Sequence, residues 1–244
     1  MATKPILFNT NMVRAIMDGR KTCTRRLIKP QWEECPTCKY VHNEYIYDKM
    51  AENVYCARCG YPMEPERRSP YQPGDILYVR ETWCRYDDDH IIDGRKYAYK
   101  ADASPISEEA RKKFGYRWRP SIHMPKEAAR IWLKVTDVRV ERLQDITEDG
   151  AEAEGMPDSL DYPVDKAYCP LCKGEGIIGT VDVHSLGHMD VDCPYCDSYR
   201  KRFENLWNSI NQKSLDSYGW DANPWVWVIE FERCEKPQEV NDND

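Results

Sequence analysis

The order of apolar and polar positions divides the chain into short elements set between strong turn signals. Met12, Val13, Ile16 and Met17 recur at helical spacing behind Asn9 and Thr10, either of which can cap a first turn. Gly19 stands where that helix should end. Residues 21–28 then mix β-branched and polar side chains, the habit of a strand. Pro73-Gly74-Asp75 turns into an apolar-centred strand over 76–80, and 97–100 reads as a short strand. The longest alternation is 131–143: Ile131, Leu133 and Val135 share one parity, Val138 and Val140 the other. The slip near Thr136 and Asp137 predicts a bulge or bend. Thr147 caps a second short helix, with Glu148 and Asp149 in its first turn as the helix dipole prefers. Phe203, Leu206, Trp207 and Ile210 predict a helix over 199–210, and Pro224 opens an aromatic strand over 225–232. Several strands, short helices and a closing aromatic strand predict an α+β domain wound as a small mixed β-barrel.

The cysteines change this picture by interrupting it. Eight of the 11 fall into four Cys-x-x-Cys pairs. Cys35 and Cys38 are separated from Cys56 and Cys59 by 17 residues, and Cys169 and Cys172 from Cys193 and Cys196 by 20. Each quartet has the spacing of a zinc ribbon, in which two tight turns face one tetrahedral ion. Prolines and glycines lie at those turns: Cys35-Pro-Thr-Cys38, Cys56-Ala-Arg-Cys59-Gly60, Cys169-Pro-Leu-Cys172 and Cys193-Pro-Tyr-Cys196. Four thiolates saturate zinc and leave no position for water, so both sites are expected to be structural. The ribbons occupy 35–69 and 159–198. The barrel is then discontinuous, in 1–34, 70–158 and 199–236, followed by an acidic tail over 237–244 expected to be disordered. Cys23, Cys84 and Cys234 remain, each in a strand-like stretch that suits a small buried side chain.

Composition narrows the function. With 41% hydrophobic and 32% charged residues the chain is an ordinary globular protein. No run approaches the roughly 18 apolar residues of a membrane span. The first ten residues show neither the apolar core nor the cleavage site of a signal peptide, so neither anchor nor leader is expected. A net charge of −7 argues against a non-specific coat on DNA. A local basic patch remains open; the densest basic segment holds Arg14, Arg20, Arg25, Arg26 and Lys29. Many cysteines without a leader point to a reducing compartment and to metal rather than disulfides.

Three segments together carry a resemblance. They are Ile16-Met17-Asp18-Gly19-Arg20-Lys21-Thr22-Cys23-Thr24-Arg25-Arg26, then Pro73-Gly74-Asp75-Ile76-Leu77-Tyr78-Val79, then the strand from Trp225 to Phe231. The chain outside the ribbons resembles the ASCH family, a PUA-like barrel found in RNA-linked proteins, and most of all its phage-encoded members. Residues 118–125, 143–147 and 223–227 have the same flavour. The resemblance implies a cytoplasmic protein of a bacterial host that binds RNA, modified DNA or a nucleoside. One branch of the family, small amidohydrolases acting on N4-acetylcytidine, is similar in a lysine, a threonine and a glutamate. These fall on Lys21, Thr24 and Glu154 as implied catalytic residues. The present chain departs from that branch in being more than twice as long.

The chemistry of such a trio can be stated from the side chains alone. A threonine hydroxyl needs a base, and a lysine serves if burial or cationic neighbours such as Arg20, Arg25 and Arg26 lower its pKa. A carboxylate accepts from the exocyclic amine of cytosine. Lys21 and Thr24 are three apart, which in a strand puts them on opposite faces; a bulge or helix end at Lys21 would bring them together. Each residue also has an ordinary role: Lys21 at a helix C-terminus, Thr24 in a strand, Glu154 on a polar helix. Arg20, Arg26, Glu81, Arg119, Ser121 and His123 are further candidates for ligand binding, against surface or structural roles. His184 and His188 lie within the second ribbon, where four cysteines already suffice. The functions in contention are a nucleobase- or nucleic-acid-binding domain, a deacylase of N4-acylated cytidine, a ribonuclease (for which no acidic metal cluster is visible), and a phage accessory module whose ribbons bind a host or phage protein.

Overall fold

The computed structural model describes residues 2–29, 31, 35, 37–39, 45–48, 50, 53–62, 69–86, 96–157, 177–181, 188–192 and 198–238. Its strands are β1 (Thr3–Leu7), β2 (Cys23–Leu27), β3 (Tyr45–Asp48), β4 (Asn53–Cys56), β5 (Ile76–Arg80), β6 (Trp83–Arg85), β7 (Tyr97–Tyr99), β8 (Trp132–Arg142), β9 (Ile177–Val181), β10 (His188–Asp192) and β11 (Trp225–Cys234). The helices are α1 (Thr10–Met17), α2 (Pro105–Lys113), α3 (Glu148–Ala153), α4 (Tyr199–Ile210) and α5 (Leu215–Tyr218). The fold is mixed α+β, mostly sheet with short helices.

The main sheet has the order β1-β5-β8-β11-β2. β1 runs parallel to β5 with Ile6 opposite Val79, β5 antiparallel to β8 with Leu77 opposite Leu133, and β11 antiparallel to β2 with Ile229 opposite Thr24. The expected barrel is corrected here: among the described residues β1 and β2 are edges and the sheet does not close. The remaining strands pair locally instead, as the two-stranded sheets β6–β7, β3–β4 and β9–β10. They therefore supply nothing to bridge the two edges.

The chain divides into two compact units, residues 1–19, 71–137 and 231–244 in the first and 20–70 and 138–230 in the second. One boundary, 137/138, falls where the sequence predicts a bend in β8. The buried residues Leu133 and Val135 give way there to Val138, so the strand changes parity across exposed Thr136.

In the first unit, Ile6, Phe8, Val13, Ile16, Leu77, Val79, Ile131 and Leu133 are buried, and the rings of Phe8 and Phe231 lie 6.1 Å apart. Asn9 caps α1 by accepting from the Met12 amide at 2.9 Å, and Gly19 ends the turn at a left-handed φ of 79°. Asp75 fixes the turn before β5. Its carboxylate accepts from Lys4 Nζ at 2.7 Å, the Gln72 amide at 2.9 Å and the Ala2 amide at 3.2 Å. Burial pushes its pKa up, but Lys4 and the two amides outweigh this and hold it below the usual carboxylate range. Such a group stabilises the fold above its unfolded pKa of about 4, and that stability is lost as pH falls through the lowered folded value. Asp75→Ala is expected to cost about 1–3 kcal/mol at neutral pH. In urea unfolding the difference from the parent chain should shrink steadily below about pH 4; a difference independent of pH would show that packing, not charge, was lost.

In the second unit the buried residues include Ile28, Val138, Leu143, Ile146, Ala151, Met156, Phe203, Leu206, Trp207, Trp220 and the run from Trp225 to Ile229. Thr147 caps α3 by accepting from the Gly150 amide at 3.0 Å, Ser198 caps α4, and α3 packs on α4. The hairpin β3–β4 joins this unit through Tyr47, whose ring meets Trp227 edge-on at 5.1 Å. A strand at the N-terminus (β1) and the helix α2 are absent from the expectations above. β1 is short and carries Pro5, and α2 has no apolar stripe to announce it.

A buried charge cluster and a four-cysteine cradle

Gly19 ends α1, and the chain then enters β2 through a single β-bridge in which Lys21 faces Glu154, the residue that ends α3. The Thr22 amide donates to the Ala153 carbonyl at 2.9 Å, and Arg20 Nη1 to the Gly155 carbonyl at 2.9 Å. Two segments 133 residues apart are thereby zipped together. Lys21 Nζ lies 2.6 Å from Glu154 Oε2 and donates to the Glu154 carbonyl at 2.8 Å. Arg25 Nη1 lies 3.4 Å from Glu154 Oε1, and Arg25 Nη2 3.1 Å from Glu141 Oε2. Lys21, Arg25 and Glu154 are 2%, 5% and 3% exposed. Buried to this degree, carboxylate and cations must satisfy one another.

Strand alternation explains which residues meet. Lys21, Cys23 and Arg25 share one parity, and all three reach α3: Cys23 Sγ lies 3.8 Å from the Gly150 carbonyl and 3.8 Å from Arg25 Nη1. Gly150 makes room for this, since a Cβ there would come within 3.3 Å of Arg25 Nη2. Burial, then the Glu154 carboxylate, push the Cys23 thiol up to about 12, so it is no nucleophile at neutral pH. Thr24, also buried, takes the alternate parity and pairs with Ile229, on the other face of β2. Lys21 itself is placed by the isolated bridge to Glu154, two residues before β2 begins. Arg26 is half-buried opposite Trp227.

Arg25 carries a further peculiarity. Its Nε is buried and has no hydrogen-bond partner among the described residues. Its guanidinium also lies over the Phe203 ring at 5.9 Å. Sequence reasoning gave Arg25 the parts of a charged neighbour of Lys21 and of a member of the basic segment; counting two residues at a time from Lys21 would have placed it beside the carboxylate.

The other candidates belong to the first unit. Glu81 is buried and receives Arg130 in a fork, Nε to Oε1 at 2.9 Å and Nη2 to Oε2 at 3.1 Å, while Arg130 also pairs with Asp102 and stacks on Tyr99 at 4.0 Å. Burial nonetheless holds the Glu81 carboxyl above its ordinary pKa. A cleft of about 440 Å³ lined by Lys96, Tyr97, Tyr99 and Arg130 lies beside this fork. Ser121 and His123 form a single 3-10 turn, held by Arg80 donating to the carbonyls of Ile122 and Met124. Arg119 is exposed, bridges to Trp83 through its backbone and lies over that indole at 5.3 Å.

Cys35, Cys38, Cys56 and Cys59 converge, with all four sulfurs within 4.8 Å of one another. The Lys39 amide donates to the Cys35 carbonyl and the Gly60 amide to the Cys56 carbonyl, each at 2.9 Å. Lys39 and Gly60 take left-handed φ of 55° and 67°, so both knuckles have the same form. Across the knuckles Cys35 Sγ lies 3.6 Å from Cys59 Sγ, and Cys38 Sγ 3.7 Å from Cys56 Sγ. The group could hold one metal ion. The second quartet, Cys169, Cys172, Cys193 and Cys196, lies outside the described residues, as does His184. The hairpin β9–β10 between its two pairs is described, and it matches in kind the hairpin β3–β4 between the first two. Cys84 is buried in β6 and Cys234 half-buried at the end of β11. No helix among the described residues is long and apolar enough to cross a membrane.

Comparison of the chain with protein-family models, curated proteins and solved structures gives no match.

Proposed function

We propose that the chain is a nucleobase-binding protein of the ASCH type, acting in the cytoplasm of a phage-infected bacterium on a cytosine-like edge offered by RNA, modified DNA or a nucleoside. The observation that carries this reading is the orphan Arg25 Nε, a buried donor beside the Glu154 carboxylate and the Lys21 ammonium. A buried donor without an acceptor costs about 1–3 kcal/mol, which a ligand acceptor would recover. Cytosine offers an exocyclic amine next to acceptors on the ring. Glu154 is the acceptor for the amine, and Arg25 and Lys21 are donors to the ring. The same cluster joins Lys21, within a segment on which the resemblance rests, to Glu154, the glutamate that the resemblance implies. Binding exchanges internal ion-pair contacts for ligand contacts, so affinity depends on how many of the three groups the base engages at once.

Deacylation of an N4-acylated cytidine, with water consumed and a carboxylic acid released, is the second reading. The 2.6 Å contact of Lys21 with Glu154 favours it, and the position of Thr24 on the other face of β2 counts against it. In the first insertion we propose zinc. A tetrahedral ion with Zn–S bonds of about 2.3 Å needs sulfurs about 3.8 Å apart, and two edges of the quartet measure 3.6 and 3.7 Å.

Calorimetric titration of the zinc-loaded chain with cytidine, uridine and N4-acetylcytidine tests the reading. Cytidine is expected to bind at least about tenfold more tightly than uridine, whose O4 would face the carboxylate. Arg25→Ala should weaken both. Equal affinity for the two nucleosides would sink the proposal. Release of cytidine from the acetylated compound, abolished by Lys21→Ala and Thr24→Ala, would establish the deacylase instead.

A further inference from the structure

Residues 111–119 read Arg-Lys-Lys-Phe-Gly-Tyr-Arg-Trp-Arg, five basic and three aromatic side chains in nine positions and no acid, in a chain of net charge −7. The segment ends α2 and returns to Trp83, in the first unit. Its shape is fixed from within. Glu108 receives Arg111 Nη2 at 2.8 Å and Trp118 Nε1 at 2.6 Å, and the Arg111 guanidinium lies 5.0 Å over the Trp118 ring. The Tyr116 amide closes the turn onto the Arg111 carbonyl at 3.1 Å, and its ring stands edge-on to Tyr86 at 5.1 Å.

Arg111, Tyr116 and Trp118 are thus used in holding the turn. What the turn presents outward is different: Lys112, Lys113 and Arg117 are exposed, and Phe114 beside them is 54% exposed. No ion pair among the described residues takes in those three cations, although the Lys112 charge is felt at Glu108, whose own partner is Arg111. Three exposed cations and a half-exposed ring within six residues make a face that is both basic and partly apolar. One kind of partner suits both characters: a strand with regularly spaced anions and flat apolar faces.

We propose that this turn is a contact surface for single-stranded nucleic acid, with Lys112, Lys113 and Arg117 on phosphates and Phe114 stacked on a base. The inference concerns the ligand class proposed above but none of the same residues, so either can fail alone. Because the turn is held by its own contacts, the ordering entropy lost on binding is that of the exposed side chains rather than of the backbone.

Fluorescence anisotropy of the full zinc-loaded chain with a labelled 12-nucleotide oligo(U), over a salt series, tests it. The triple variant Lys112→Ala/Lys113→Ala/Arg117→Ala is expected to raise Kd about tenfold or more at low salt and to make the slope of log K against log salt shallower by about 2. Phe114→Ala should raise Kd by at least about fivefold with the slope unchanged. The proposal is overturned if the parent chain does not bind the oligonucleotide, or if the turn variants bind it as the parent does. It is equally overturned if poly-glutamate of matched charge competes as well as the RNA, which would assign the surface to an acidic protein. Circular dichroism of each variant, expected to match the parent, separates lost contact from lost fold.

Discussion

The Cys56→Ser variant is expected to carry one metal equivalent fewer than the parent chain and to lose the β3–β4 hairpin as a protected unit. The physical case is one of size. The described part of this insertion offers little core of its own: Val54, Cys35 and Cys56 are its buried apolar residues, and Tyr47 leans on Trp227. Segments so small are held by something other than burial. Structural zinc in such a site contributes about 10–16 kcal/mol of apparent binding free energy, far more than one aromatic contact of about 0.5–1.5 kcal/mol. The surroundings of the four thiols treat them unequally. Burial raises Cys35, but the Cys38 and Thr37 amides and neighbouring thiols bring it to about 6. For Cys59 the Tyr61 amide acts to lower the pKa, while burial and thiol contacts carry it to about 12. Four thiolates around a divalent ion replace that compromise. Elemental analysis gives the metal count, and hydrogen exchange read over 53–62 gives the hairpin. β2 and β11 should keep their protection. Protection of 53–62 that survived loss of the metal would make the Tyr47–Trp227 contact the staple instead.

Glu154→Gln should destabilise the second unit by about 3–5 kcal/mol, the usual cost of removing one partner from a buried ion pair. The amide leaves two cations, Lys21 and Arg25, without their shared anion, and both are within 5% of full burial. Lys21→Met should cost less, because Glu154 then still has Arg25 and Arg25 still has Glu141. The double variant Lys21→Met/Glu154→Gln should be less damaging than the sum of the two, by a coupling of about 1–3 kcal/mol. Urea unfolding of the four proteins measures that coupling. Additive losses would mean that the two groups do not sense each other, and the cluster could not then act as one recognition site. A thermal midpoint lowered by roughly 10 °C in Glu154→Gln is the corresponding heat result.

Much of this was legible in the chain. The helix of Met12, Val13 and Ile16, its end at Gly19, the cap at Thr147, the parity slip at Thr136 and the aromatic strand after Pro224 are all local matters. They follow from spacing, capping and turn chemistry. The first four-cysteine cradle followed in the same way, because a knuckle is a five-residue object. Closure was not legible. Whether strands such as 97–99 bridge the edges of a sheet or fold back on a neighbour depends on which partner is nearer, and Trp83–Arg85 lies just upstream. Among the described residues the sheet therefore stays open where pattern predicted a barrel. α2 was missed for the opposite reason: its charged residues form no stripe, and Glu108 holds it through Arg111 and Trp118.

By itself the sequence determined the short elements and the placement of the cysteine pairs; that Lys21 and Glu154 belong together was implied by the resemblance alone. Tertiary structure alone decided what surrounds them. Pairing of Lys21 with Glu154 across 133 residues fixed the parity of β2. That parity brought Arg25 and Cys23 to the carboxylate and sent Thr24 to the other face. A strand shows its neighbours only every second residue, and which set faces inward is set by the partner it meets.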